Sequence, residues 1–310
     1  MSKIKKIYTF GTSQTAGGGF EFESVVVAPK YKSPDGKIKK RGEALKLLYK
    51  DIGQELTQYN FSWPGQLQKV LNIGEGDTKV TNLAKSGYGN ERMYRLTYDL
   101  IRKHLHELDS ILFIYEFSYL GRKEFYLRDI DDYVIVNYAF PDGGPGGIPE
   151  LHGVANEYFF DENPNIYKNT DFFKEIIEKT INFDNQLDLM RMNQISFLSF
   201  LKTAGVNFLT SSEPWDDNRI HGDLVNFDKN QIDFYQYTGH EGNPISMNLD
   251  TSIAAETEGA FFDGHNGIIM NNFIGGCVYN ELIDRGMVSG NKLSIHRPTD
   301  YTLKNINLFF

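Results

Sequence analysis

The stretch Ile4-Lys5-Lys6-Ile7-Tyr8-Thr9-Phe10-Gly11-Thr12-Ser13 decides the fold. Residues 4–10 are rich in β-branched and aromatic side chains and Gly11 stops the run, which predicts a short buried strand. Ser13 then falls just past the strand's end. A hydroxyl at such a position either caps the next element or stands as a nucleophile at the rim of a sheet.

Working outward, residues 16–19 (Ala-Gly-Gly-Gly) read as a glycine-rich loop that opens an insertion reaching about residue 60. Within it lie a turn (Ser33-Pro34-Asp35-Gly36), a basic run (Lys37, Lys39, Lys40, Arg41) read as a solvated loop, and an amphipathic helix over about 43–56. From Ser62 the pattern is regular. Ser62 caps a helix running to about Leu71 with Pro64 in its first turn, 78–83 reads as a strand, 90–105 as a helix and 110–117 as an apolar strand. Strands alternating with helices at this spacing predict a parallel sheet covered on both faces. Pro141 to Pro149 can be neither helix nor central strand. Helices are predicted over about 170–181 and 184–204, a strand over 206–210, a loop over 259–267 and a last helix over 268–285. No internal repeat or low-complexity tract occurs.

The chain's 310 residues, 40% hydrophobic and 24% charged, describe a globular protein able to bury a full core. We expect one domain, 1–310, with insertions at about 16–60 and 126–190 and a tail over about 286–310. The 32 basic against 41 acidic residues make a net charge of −9, which argues against nucleic-acid or anionic-membrane partners. A single cysteine, Cys277, excludes an internal disulfide and a Cys-rich zinc site. The N-terminal stretch lacks the apolar core of a signal peptide and no run of about 18 apolar residues occurs. The expected localisation is therefore cytoplasmic synthesis, with later release or incorporation into a particle left open.

Three short segments each follow or end a predicted element, where open parallel sheets hold their ligands. They are Phe10 to Thr15, Ala84-Lys85-Ser86-Gly87-Tyr88-Gly89-Asn90, and Asp263-Gly264-His265. A serine needs a neighbouring base, and the base needs an orienting carboxylate. His265 would accept the Ser13 proton on one ring nitrogen while Asp263 holds the other. The chain order Ser, Asp, His is one used by α/β hydrolases.

These segments resemble the blocks of the SGNH (GDSL-like) hydrolases. Gly11-Thr12-Ser13 is similar to the family's first block with Thr in place of Asp, Gly87 to Asn90 to its glycine block, and Asp263 to His265 to its last block. The resemblance covers roughly 1–15, 60–125 and 190–285. It implies an α/β/α sandwich around a parallel five-stranded sheet of flavodoxin-like type. It also implies a serine esterase that hydrolyses an ester, often an O-acetyl group on a sugar. The catalytic residues would be Ser13, His265 and Asp263, and the oxyanion hole the backbone N–H groups of Ser13 and Gly87 with the Asn90 amide.

Two departures mark this chain. Where the third block supplies an Asn, the sequence reads Ser118-Tyr119-Leu120-Gly121-Arg122, leaving Asn90 as the nearest substitute and Arg122 as a substrate-binding candidate. Asp263 stands two residues before His265 rather than three, so Asp250 and Glu258 are alternative carboxylates. The competing reading is a binding or structural protein, for instance a virus-particle component, on a scaffold whose site has decayed. His221 with Asp223 and His240 with Glu241 lack the compact spacing of a metal site. His104 and His106 are expected on the surface. Without a Gly-Lys-Ser/Thr ending, the glycine run is no phosphate loop. No metal or cofactor is expected.

Overall fold

The computed structural model describes residues 4–16, 59–60, 62–73, 77–85, 88–118, 122–128, 132–137, 179, 183–211, 230, 232 and 268–295. Six strands are present among them: β1 (Lys6–Phe10), β2 (Lys79–Asn82), β3 (Ile111–Glu116), β4 (Arg122–Leu127), β5 (Asp132–Asn137) and β6 (Asn207–Ser211). The helices are α1 (Ser13–Ala16), α2 (Trp63–Ile73), α3 (Asn90–Lys103), α4 (Phe183–Thr203) and α5 (Ile268–Asp284).

Four strands form one sheet in the order β2-β1-β3-β6, every neighbouring pair parallel. β1 is thus central, as the apolar run over 4–10 predicts, and Ile7 lies opposite both Val80 and Leu112 in register. Of the five strands expected, these four lie in the described residues. At the outer edge of β6 the Ile232 amide donates to the Thr210 carbonyl at 2.8 Å, so the chain does return beside that edge.

Alternation along the strands sends side chains into two cores. Ile7, Val80, Leu112, Ile114 and Leu209 pack with Trp63, Leu67 and Leu71 of α2 and with Val278 and Leu282 of α5. Phe10, Ile111, Phe113, Tyr115 and Phe208 face the other way, onto Met93 and Ile101 of α3 and Phe197 and Leu201 of α4. Both faces of β3 are therefore covered, which is why all six of its residues are buried and its sequence carries no polar alternation. α2 and α5 touch closely because Gly275 has no side chain. A Cβ there would lie 3.0 Å from the Trp63 carbonyl oxygen and 3.1 Å from the Leu67 nitrogen.

The second core is an aromatic stack. Phe10 and Tyr115 lie with ring centroids 5.0 Å apart, Tyr8 and Phe113 at 5.8 Å, and Phe197 meets Tyr115 edge-on at 5.2 Å. The Tyr115 hydroxyl, buried in that stack, shares a 3.0 Å hydrogen bond with Thr97 Oγ1, the partner a buried phenol requires. Burial holds the Tyr115 hydroxyl well above its ordinary pKa.

Three features depart from the sequence reading or were not read in it. β4 and β5 form an antiparallel hairpin at the head of the second insertion. Arg95 of α3 holds it, pairing with Glu124 at 3.2 Å and lying 3.9 Å over the Tyr133 ring. His104 was expected on the surface; its side chain is only 13% exposed, because it closes α3 against Tyr8, whose hydroxyl lies 3.3 Å from Nε2. The expected tail packs on α5 as far as residue 295. Ile4 donates to the Met287 carbonyl at 3.2 Å, and Asn280 exchanges hydrogen bonds of 2.9 and 2.8 Å with the Leu293 backbone. Val288 is buried there, an apolar anchor in an otherwise loop-like stretch.

Candidate active site

The strand order 2-1-3 contains a topological switch point. After β1 the described chain leads to α2 on one face of the sheet, and after β3 to the hairpin and then α4 on the other. Loops leaving in opposite directions open a crevice at the carboxyl ends of β1 and β3, the place where open α/β sheets bind ligands. Ser13 opens α1 at that end of β1, and Ser118 lies just beyond β3.

Ser13 is described by its backbone. The turn carrying it is closed by the Ala16 amide, which donates to the Thr12 carbonyl at 2.9 Å. Gly11 is demanded by space: a Cβ there would sit 2.5 Å from Thr15 Oγ1 and 3.0 Å from Glu116 Cβ. The turn thus lies directly against β3.

Buried polar side chains hold it in place. Thr12 Oγ1 donates to Glu116 Oε1 at 3.0 Å, and Thr15 Oγ1 donates to the other oxygen, Oε2. The Trp63 indole N–H donates to Thr15 Oγ1 at 3.1 Å, and the Trp63 backbone N–H to Asn271 Oδ1 of α5, also at 3.1 Å. From β2, Asn82 Nδ2 donates to the Thr15 carbonyl at 2.8 Å and to Ser62 Oγ at 3.4 Å, while its Oδ1 accepts from Thr9 Oγ1 and from the Ala84 amide, each at 3.1 Å. Ser62 caps α2 as expected, accepting from the Gly65 amide at 3.4 Å. The ends of β1, β2 and β3 and the starts of α2 and α5 are therefore tied to the one turn over residues 12–16.

Asn90, at the first residue of α3, is 8% exposed. Its Nδ2 donates to the Ser118 carbonyl at 3.2 Å and its Oδ1 accepts from the Ser118 amide at 2.7 Å. The amide thereby joins the segment after β2 to the segment after β3. Beside it, Tyr88 is flanked by two cations, Lys85 Nζ at 4.7 Å and Arg92 Cζ at 5.0 Å from the ring centre, and Arg92 also donates to the Leu83 carbonyl. Burial lowers the pKa of the Arg92 guanidinium. Arg122 opens β4 opposite Asn137. Gly87, Asp263 and His265 lie outside the described residues, as do Asp250 and Glu258.

Of the predicted site residues, the structure places Ser13 and Asn90 at the same end of the sheet. Glu116, Thr12, Thr15, Asn82 and Asn271 were not singled out from the sequence. Glu116 was readable in principle, as the one carboxylate closing an otherwise apolar strand. Among the described residues no group of three or more His, Cys, Asp or Glu side chains is placed to hold a metal ion. Cys277 is buried, and burial pushes its thiol far above the ordinary range. No described helix is long and apolar enough to cross a membrane.

No family model matches the chain, and no curated protein matches it. Among solved structures it is similar to the psychrotrophic esterase EstA from Pseudoalteromonas sp., inhibited by monoethylphosphonate, at 11% identity and a TM-score of 0.39, over 91% of this chain and 98% of that one. It is similar also to TesA, at 12% identity and a TM-score of 0.41, over 90% of this chain and 98% of that one. Likenesses this distant bear no weight for chemistry.

Proposed function

We propose that the protein is a serine esterase of SGNH type acting on an O-acyl group, most simply an acetyl, carried by a carbohydrate. The observation supporting this reading is the position of Ser13, on a tightly buttressed turn at the carboxyl end of the central strand, beside the switch-point crevice. Ser13 Oγ attacks the acyl carbon and His265 accepts its proton. The carbonyl oxygen becomes an oxyanion held by the backbone N–H groups of Ser13 and Gly87 and by the Asn90 amide. Asn90 Nδ2 carries two hydrogens and gives one to Ser118, which leaves the second for this task. His265 then protonates the leaving alcohol, and water, deprotonated by the same imidazole, releases the acid and restores Ser13. Asp263 orients the imidazole and Arg122 contacts the substrate.

Chain tethering supports the meeting of His265 with Ser13. His265 precedes Ile268, the first residue of α5, by three positions, which restricts it to about 10 Å from that helix start. Asn271 of α5 holds Trp63, and Trp63 holds Thr15, two residues from Ser13.

Fluorophosphonate labelling tests the proposal. The wild-type protein is expected to label, and Ser13→Ala and His265→Ala are not. Retained labelling in Ser13→Ala would move the nucleophile elsewhere. A second reading, a non-catalytic binding or structural protein such as a virus-particle component, is favoured by the absence of an Asn in the 118–122 segment after β3. It predicts no labelling of the wild type under conditions where a known serine hydrolase reacts.

A further inference from the structure

We propose that Glu116 is a positioning residue, which fixes the Ser13 turn by receiving one hydroxyl from each side of the serine on its two carboxylate oxygens. The proposal rests on the serine-esterase reading of Ser13. Thr12 precedes the serine by one residue and Thr15 follows it by two, and the two donate to Oε1 and Oε2 respectively. All three side chains are buried, with Glu116 7% exposed and both threonines 0%. A hydroxyl has one proton to give. Because the Trp63 indole already donates to Thr15 Oγ1, the Thr15 proton is free to point at the carboxylate, and the donors run in one direction from indole to hydroxyl to carboxylate.

The carboxylate belongs to β3, across the switch point from the turn it holds, so it couples the two strands that flank the crevice. A carboxylate is a pure acceptor and suits two donors at once. Glutamine keeps the shape but offers one acceptor and one donor. Its NH₂ would face either Thr12 or Thr15, so that hydroxyl would have to accept where it now donates, and in a buried site its own proton would lose the carboxylate oxygen that receives it. The turn would shift, and with it the Ser13 oxygen and backbone N–H that must meet the acyl group in one geometry.

The test compares Glu116→Gln, Thr12→Val and Thr12→Ser with wild type in the full chain. Three properties are read: turnover of p-nitrophenyl acetate, the rate of fluorophosphonate labelling, and amide hydrogen exchange by mass spectrometry. In Glu116→Gln we expect kcat and the labelling rate to fall roughly 10²-fold, with KM little changed. Exchange should quicken over residues 12–16 while peptides from β3 and α2 stay protected. Thr12→Ser, which keeps the hydroxyl, should recover most of what Thr12→Val loses. Wild-type kcat and wild-type exchange in Glu116→Gln would overturn the proposal, as would exchange quickened equally across the whole sheet with Thr12→Ser no better than Thr12→Val. Should wild type neither label nor turn over the ester, the esterase reading falls, and exchange over 12–16 still decides whether Glu116 positions the turn.

Discussion

Asn90 and Ser118 exchange two hydrogen bonds, side-chain amide to backbone carbonyl and backbone amide to side-chain carbonyl, at 3.2 and 2.7 Å. The start of α3 is thereby locked to the end of β3, and a residue read from the sequence as an oxyanion donor is also a structural clasp. Asn90→Ala removes both bonds in a buried setting and is expected to destabilise the fold by about 2–3 kcal/mol. Asn90→Asp keeps the acceptor and loses the donor, so it should fall between. Urea denaturation midpoints check the order, and an Asn90→Ala protein as stable as wild type would dismiss the clasp.

Gly11→Ala places a Cβ 2.7 Å from Thr15 Cβ and 3.0 Å from Glu116 Cβ, neither of which is the free end of a flexible side chain. We expect a loss of about 1–3 kcal/mol from overpacking. Labelling of Ser13 should fall by more than stability alone explains, since the displaced atoms are those that hold its turn. Thermal unfolding and labelling rate, measured on the same sample, separate the two effects.

Glu124 has its side chain 2% exposed, and burial raises its pKa while the Arg95 partner lowers it less. A carboxylate whose folded pKa lies above its unfolded one binds more protons in the native state. Stability attributable to it is therefore lost as pH rises through the ordinary carboxylate range toward the raised value. Relative to Glu124→Gln, which cannot ionise, wild type should lose stability as pH rises through and above the ordinary carboxylate range. A constant difference in melting temperature over that window would contradict the assignment.

Phe113 is fully buried between Phe10, Tyr8 and Tyr115 in the second core. Phe113→Ala opens a cavity that stacked rings on neighbouring strands cannot close, at a cost of about 3–5 kcal/mol. A calorimetric ΔΔG below about 1 kcal/mol would mean that the core collapses around the gap.

Much of the scaffold was legible because its signals are local. The predicted strands at 4–10, 78–83, 110–117 and 206–210 appear as β1, β2, β3 and β6, and the helix beginning at Asn90 runs to Lys103. The hairpin β4–β5 was not read because three charged residues, Arg122-Lys123-Glu124, stand where an apolar run would mark the start of a strand. The side chain of Glu124 pairs with Arg95, 29 residues away. His104 likewise looked like a surface residue because its partner, Tyr8, lies 96 residues distant.

The sequence by itself determined the alternation of strand and helix and the placing of a serine immediately after the first strand, since hydrophobic period and a strand-stopping glycine act over a few residues. Only the tertiary structure decided what surrounds that serine. Glu116 lies more than a hundred residues from the turn it holds, and Asn271 some two hundred from Trp63. Their hydrogen bonds exist because parallel pairing brings the carboxyl ends of β1, β2 and β3 to one edge. Buried donors and acceptors there must find partners in space, and no local pattern in the chain encodes which ones.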